Sequence, residues 1–382
     1  MSEERSYRKE ELLRLAKRVN NPKRTYLLVN PLQGKHIPVS PGRALEMMCA
    51  LGKAVKTAHG GRALVIGFAE TATAIAASAA MEIGGDCVYL QTTREADETV
   101  DSWVYFSEEH SHATEQKLCG DGLDRRIRDC DYVLLVDDEI STGKTILNIV
   151  SAIRKACPAA EEKEFVVASI LNRVDEKMLP VFAGQGISFI WLLRLAAEDY
   201  EEKVRPFSVR EACPPPTGKQ EESAPMITVL SASVIPAHRG AGIRDYVESC
   251  RAAAEEILRK TELTKEEDVL ILGTEEFMFP ALLLGRQLEE SGVVRSVKFH
   301  ATTRSPIGVG AEKDYPITNG VRLHSMYAAE RVTYLYDLDR YDSVIVFSDS
   351  PETVFEAVRD LKRGLEEKQC GKLRFFYSRR HV

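Results

Sequence analysis

No two of the eight cysteines in this 382-residue chain are spaced C-x-x-C, and Cys49, Cys87, Cys119, Cys130, Cys157, Cys213, Cys250 and Cys370 are scattered along it. Neither a zinc site nor a disulfide framework is expected, and most of these thiols read as small apolar fillers. Excess basic charge is lacking as well. The net charge of −7 argues against a general nucleic-acid binder. No apolar run is long enough to span a bilayer, and the start, Met-Ser-Glu-Glu-Arg-Ser, does not have the make-up of a signal peptide. The expected location is the cytoplasm, with no membrane partner. What is present is ordinary globular composition, and the length favours two domains, each with its own core.

Apolar runs ending in small or acidic residues alternate with amphipathic stretches, which points to α/β architecture with a doubly wound parallel sheet. Helical spacing over Tyr7 to Val19 predicts a peripheral helix, and a strand from Thr25 leads into Gly34-Lys35-His36-Ile37-Pro38. Lys35 and His36 either line a ligand site or sit in a surface turn. After a helix over Pro41 to His59, Arg62-Ala-Leu-Val-Ile-Gly-Phe-Ala-Glu-Thr-Ala-Thr reads as strand, turn, helix, with small residues that let amides approach an anion. The next strand ends at Arg94. Residues 95–123 are polar and weakly periodic, and a loop that long reads as a lid over a site. Its His110 and His112 lack a third spaced metal ligand.

The most informative stretch is Asp131-Tyr-Val-Leu-Leu-Val-Asp-Asp-Glu-Ile-Ser-Thr-Gly-Lys-Thr145. An apolar strand runs into acids, then a hydroxyl-rich turn, then a helix. Paired carboxylates accept from a diol, and successive N–H groups with hydroxyls suit a phosphate dianion. A Walker A loop is excluded because Asp138 occupies the position of its first glycine.

This stretch resembles the signature of type I phosphoribosyltransferases. The resemblance implies that fold, with Asp137 and Asp138 on the ribose hydroxyls and at a Mg²⁺, and Ser141, Thr142, Gly143, Lys144 and Thr145 around the 5′-phosphate. It also implies that the turn with Phe68, Ala69, Glu70 and Thr71 receives pyrophosphate. By charge and place, Arg94 and Lys35 are candidate pyrophosphate contacts, and His112 or Lys117 a candidate lid contribution. Purine enzymes of the hypoxanthine-guanine type carry an acid where this chain has Ser141, so the pattern is nearer the orotate type.

The Gly34–Pro38, Gly67–Thr73 and Thr303-Arg-Ser-Pro306 stretches together resemble orotate-like phosphoribosyltransferases fused to a TRSP domain, a group associated with bacterial tellurite-resistance and stress gene clusters. What this implies is synthesis or cleavage of an N-ribosidic bond between phosphoribosyl pyrophosphate and a heterocyclic base, towards a nucleoside-like metabolite. A homodimer is a further assembly that the resemblance allows.

The expected organisation is a phosphoribosyltransferase domain over 1–212, a Pro-rich linker over 213–224 and a TRSP-type α/β domain over 225–382. The last is read as a degenerate repeat of the first. Asp342-Ser-Val-Ile-Val-Phe-Ser-Asp349 matches Asp131 to Asp138, and Phe299-His-Ala-Thr-Thr-Arg304 matches Leu90 to Arg94. Pro351 removes an N–H that a phosphate cradle would use. Thr302, Thr303, Arg304 and Ser305 either bind an anion or pack a strand end against the first domain. The rival function is a non-catalytic phosphoribosyl pyrophosphate or nucleotide sensor.

Overall fold

The computed structural model describes residues 6–19, 21, 24–106, 116–215, 227–350 and 355–379. It opens with α1 (Lys9–Leu12), only four residues long, followed by β1 (Arg14–Lys17). The helix expected over 7–19 is thus cut to a single turn, and a strand follows it. Pairing with β2 (Tyr26–Val29) fully buries Ala16 and overrides the helical spacing.

From there the first half follows the predicted alternation. Pro41 at the first turn and a Ser40 cap start α2 (Pro41–Ala58), then come β3 (Ala63–Gly67), α3 (Thr73–Ile83) and β4 (Val88–Gln91). The segment read as one long loop contains an antiparallel hairpin, β5 (Trp103–Phe106) with β6 (Gln116–Cys119), and then α4 (Leu123–Asp129). Phe106 and Leu118 are buried, so alternate apolar side chains hold the hairpin to the domain. Residues 107–115 at its tip, including His110 and His112, lie outside the described residues. Next come β7 (Tyr132–Ile140), α5 (Lys144–Ala156), β8 (Glu164–Asn172), α6 (Leu179–Ala183), β9 (Ile187–Arg194), α7 (Tyr200–Val204) and β10 (Val209–Arg210).

The second half contains β11 (Ile227–Val229), β12 (Ala241–Gly242), α8 (Ile243–Lys260), β13 (Asp268–Gly273), α9 (Phe279–Ser291) and β14 (Ser296–Ala301). Then follow β15 (Val309–Gly310), the hairpin β16 (Gly320–His324) with β17 (Val332–Tyr336), β18 (Ser343–Ser348), α10 (Phe355–Glu367) and β19 (Lys372–Tyr377).

The first sheet runs β12-β4-β3-β7-β8-β9 and is parallel except for β12. The second runs β11-β19-β18-β13-β14 and is parallel throughout. Counted along the chain, the shared strands of both sheets lie in the order 2-1-3-4, and in both a hairpin intervenes between the second and third. In each half an 18-residue helix, α2 or α8, precedes the first shared strand.

The halves also exchange edges. Val39, just before α2, exchanges backbone hydrogen bonds of 2.7 and 3.0 Å with Phe299 on β14. Reciprocally β12, just before α8, pairs with β4. Helix α2 packs on α9 and α3 on α8, and one apolar core runs through both sheets, from Leu64 and Val133 to Ile271 and Phe347. Of the linker expected over 213–224, only 213–215 are described. Among the described residues no helix is long and apolar enough to cross a membrane.

Candidate active site

Strand β7 does not stop at Val136. Its ladder with β8 carries on through Asp137↔Ser169, Glu139↔Leu171 and Ile140↔Asn172, so the acids sit on the last turns of the strand, at the carboxyl edge of the sheet beside β3. In an open α/β sheet this edge, where strand order reverses, is where ligands bind. Asp137 Oδ1 accepts from the Asp138 amide at 2.9 Å. Burial pushes the Asp138 carboxyl above its ordinary range, and Glu139 adds to the effect. A cation or a set of hydroxyl donors would offset that cost. Glu139 itself is fully engaged: Arg24 grips it at 2.7 and 2.9 Å and Arg173 at 3.0 Å, while Arg173 also donates to the Tyr26 hydroxyl at 2.9 Å.

Helix α5 starts at Lys144 on Gly143, whose φ is +81°. A Cβ there would lie 2.5 Å from Phe182 Cζ, so only glycine fits both the backbone and the space. Gly143 itself has no side chain to cap this helix. Its first amides, with Ser141, Thr142 and Thr145, form the turn after the diacid and present the donors and dipole that favour a phosphate. Thr142 is exposed, and its Oγ1 accepts from the Lys144 amide at 3.3 Å.

The third wall is the turn after β3. Phe68 and Ala69 are buried, Phe68 lying 6.0 Å from the Phe106 ring, so their side chains fill the interior. The turn is braced on every side: Ala69 N donates to Thr92 Oγ1 at 2.8 Å, Gln116 Nε2 to Ala69 O at 2.7 Å and Gln33 Nε2 to Thr71 O at 3.0 Å. Among the described residues nothing accepts from the amides of Glu70 and Thr71. The turn therefore offers backbone donors to an anion. Gln116 also ties the β5–β6 hairpin to it.

Several sequence candidates lie away from this space. Lys35 is fully buried, and its Nζ meets Glu70 Oε1 at 2.9 Å and the carbonyls of Glu275 and Thr302 at 3.0 Å each. Burial lowers its pKa, yet three acceptors use all three N–H bonds of the ammonium form. The Glu70 carboxylate accepts from Thr303 Oγ1 at 2.9 Å and the Arg304 amide at 3.0 Å. Burial opposes its charge, but Lys35 and Arg304 outweigh this and hold it down to about 2. The Arg304 guanidinium is enclosed by Glu70, Glu95, Glu275 and Glu276. Burial opposes its charge too, and these carboxylates raise its pKa above the ordinary arginine value. Lys35, Glu70 and Arg304 are thus joined at the seam between the halves rather than aimed at the sugar-phosphate turn. Arg94 begins on the same seam, its amide donating to Glu276 Oε1 at 3.1 Å. His112 lies outside the described residues.

Three participants escaped the sequence reading. Gln33 and Gln116 brace the turn from 38 and 47 residues away, with nothing local to mark them. Arg18, opposite Thr25 in the β1–β2 hairpin, keeps a buried Nε with no hydrogen-bond partner among the described residues and is attracted by Glu139 and Asp138. His36, only 3% exposed, has no partner on either ring nitrogen among the described residues. Burial and then Lys35 push it down to about 3, so it stays neutral at ordinary pH.

A diacid near a strand end, a helix that starts on glycine and a turn whose Glu70 and Thr71 amides meet no acceptor among the described residues thus lie together at one sheet edge. Residues 12–184 match the family model described as phosphoribosyl transferase, and the chain accordingly carries a phosphoribosyltransferase domain, of the glycosyltransferase class of enzymes. Residues 240–362 match the model described as TRSP domain C terminus to PRTase_2, so the two domains occur here in that order.

Among solved structures, the chain is similar to adenine phosphoribosyltransferase (APRTase) from Giardia lamblia complexed with 9-deazaadenine, at 16% identity over 47% of this chain and 93% of that one, with a TM-score of 0.33. It is also similar to adenine phosphoribosyltransferase from Rhodothermus marinus, at 14% identity over 49% and 96%, TM-score 0.33. A third is the Trypanosoma brucei adenine phosphoribosyl transferase in complex with AMP, pyrophosphate and ribose-5-phosphate, at 16% over 48% and 77%, TM-score 0.34. No curated protein matches the chain.

Proposed function

We propose that the chain transfers a phosphoribosyl group between phosphoribosyl pyrophosphate and a heterocyclic base, releasing or consuming pyrophosphate. One observation carries this: Asp137 and Asp138 lie near the carboxyl end of β7, just before the turn 141–145 that opens helix α5 on Gly143. In this reading the two carboxylates accept from the ribose 2′ and 3′ hydroxyls. The amides and hydroxyls of Ser141 to Thr145 hold the 5′-phosphate, and the Glu70 and Thr71 amides meet the pyrophosphate. Held at both ends, the sugar presents C1 to the incoming nitrogen, and positioning with charge stabilisation lowers the barrier. In the same reading the β5–β6 hairpin, tied to the pyrophosphate turn through Gln116, helps to exclude water from it.

Among the described residues there is no group of three acidic, histidine or cysteine side chains that could hold a metal. The donor set nevertheless fits Mg²⁺, which binds through one or two carboxylates while substrate phosphates and water complete its shell. Asp137 and Asp138 would hold it, and it would neutralise charge on the leaving pyrophosphate. Ser141, where the hypoxanthine-guanine type has an acid, speaks for an acceptor other than a simple purine.

Pyrophosphate release from phosphoribosyl pyrophosphate and Mg²⁺ should appear with at least one base of a broad panel, and disappear in Asp137→Asn/Asp138→Asn. Release that survives this double change contradicts the assignment. Tight binding without turnover across the panel supports a non-catalytic sensor instead.

A further inference from the structure

The three stretches Gly34–Pro38, Gly67–Thr73 and Thr303–Pro306 are far apart in sequence and meet at one place. Lys35 and Arg304 both hold Glu70, and Thr303 donates to it. The contact has a mirror image. Glu276, at the matching point of the turn after β13, accepts from Thr93 Oγ1 at 2.7 Å and the Arg94 amide at 3.1 Å. Within each half, too, the geometry repeats: Ala69 N donates to Thr92 Oγ1 at 2.8 Å, and Glu275 N to Thr302 Oγ1 at 3.0 Å. Each turn is therefore fixed by a threonine of its own half and by a Thr-Arg pair of the other. With the exchanged edges at Val39 and β12, the two halves are related as two subunits of a twofold dimer would be.

Only the first half keeps the diacid and the phosphate turn, so the pairing serves one site. We propose that the second half acts as a built-in partner subunit, with Thr303 and Arg304 as positioning residues that hold the 68–73 turn in the shape that receives pyrophosphate; this rests on the transferase reading above. The electrostatics give the reason. A carboxylate beside a pyrophosphate site repels its ligand unless it is neutralised and turned away. Lys35 and Arg304 neutralise Glu70, while Thr303 Oγ1 and the Arg304 amide pin its Oε1 towards the second half. Released from them, Glu70 could swing towards the amides of its own turn, and the turn would lose its tether to the second half through Glu70.

The test compares Thr303→Val, which keeps shape but removes the hydroxyl, with Thr303→Ser, which restores it. Glu289→Gln is the control for a weakened seam, because Glu289 joins the halves at Ser40 and Gly42 through bonds of 2.6 and 2.7 Å and does not touch the turn. Titration of the full chain with phosphoribosyl pyrophosphate and Mg²⁺ should show affinity reduced about tenfold or more in Thr303→Val, and within about twofold of wild type in Thr303→Ser. Glu289→Gln should lower the melting temperature and leave affinity alone. Wild-type affinity in Thr303→Val, or loss of affinity in Glu289→Gln, overturns the proposal.

Hydrogen exchange on the ligand-free protein reads the clamp independently of what the protein binds. Amides 68–73 should exchange faster in Thr303→Val alone, and unchanged protection overturns the clamp. Failure of wild type to bind phosphoribosyl pyrophosphate, with exchange altered as expected, counts against the transferase reading and leaves the clamp standing.

Discussion

Replacing Lys35 with methionine separates two roles for this residue. A pyrophosphate contact predicts lost affinity with little lost stability. The observed position predicts the reverse, because Nζ is wholly buried between Glu70 and two carbonyls. Removing one member of a buried ion pair costs about 3–5 kcal/mol. Glu70 keeps Arg304 and Thr303, which pulls the figure down. Glu275 O and Thr302 O lose their Lys35 donor, and a buried group left unsatisfied costs about 1–3 kcal/mol, which pushes it up.

The expected loss is therefore about 4 kcal/mol. At roughly 2 °C per kcal/mol for a large cooperative unit, the melting temperature falls by about 8 °C. Scanning calorimetry of Lys35→Met, Glu70→Gln and the double variant gives the coupling, which should lie at about 0.5–3 kcal/mol because the side chains touch. A fall of less than about 2 °C with additive single effects would refute the buried clasp.

Three further outcomes follow from the same geometry. Gly143→Ala forces a Cβ against Phe182 at a φ of +81°, so it should cost about 1–3 kcal/mol in thermal unfolding and weaken phosphate binding; an unchanged melting curve would contradict the turn. His36 sits near 3 in the folded chain against an ordinary 6.5, so between those values the unfolded chain binds more protons and stability falls as pH falls. Glu70, near 2 against an ordinary 4.5, contributes stability that is full above pH 4.5 and lost as pH drops towards 2. Melting temperature against pH should flatten in the upper window for His36→Asn and in the lower one for Glu70→Gln, each group supplying at most about 1.4 kcal/mol per pH unit; wild-type slopes in the variants would contradict this.

The sequence shows the site's skeleton where the signal is local. Apolar runs such as Val133–Val136 ending in Asp137-Asp138, and Gly143 before an amphipathic helix, carry their own grammar, and the strands and long helices fall where that grammar puts them. Residues 7–19 do not, because β1 is made by pairing with β2 and by packing in one cluster with Ile307 and Tyr336, which lie hundreds of residues away. The hairpin at β5–β6 was hidden for a similar reason: its four-residue strands are too short to show a period. Lys35 and Arg304 illustrate the other limit. Charge and place mark them as candidate anion ligands, but charge does not say which opposite charge the fold brings to them. Here it is Glu70 and the acidic turn after β13. The repeat is legible in the sequence in matches such as Asp342–Asp349 with Asp131–Asp138 and Phe299–Arg304 with Leu90–Arg94, and the sheet order and exchanged edges give it physical form.

Calorimetric titration of the purified full chain with phosphoribosyl pyrophosphate, with and without Mg²⁺, tests the central claim most directly. Saturable binding strengthened by Mg²⁺ and lost in Asp137→Asn/Asp138→Asn is the predicted result. Binding that the double variant retains, or no binding by the wild type under either condition, contradicts it.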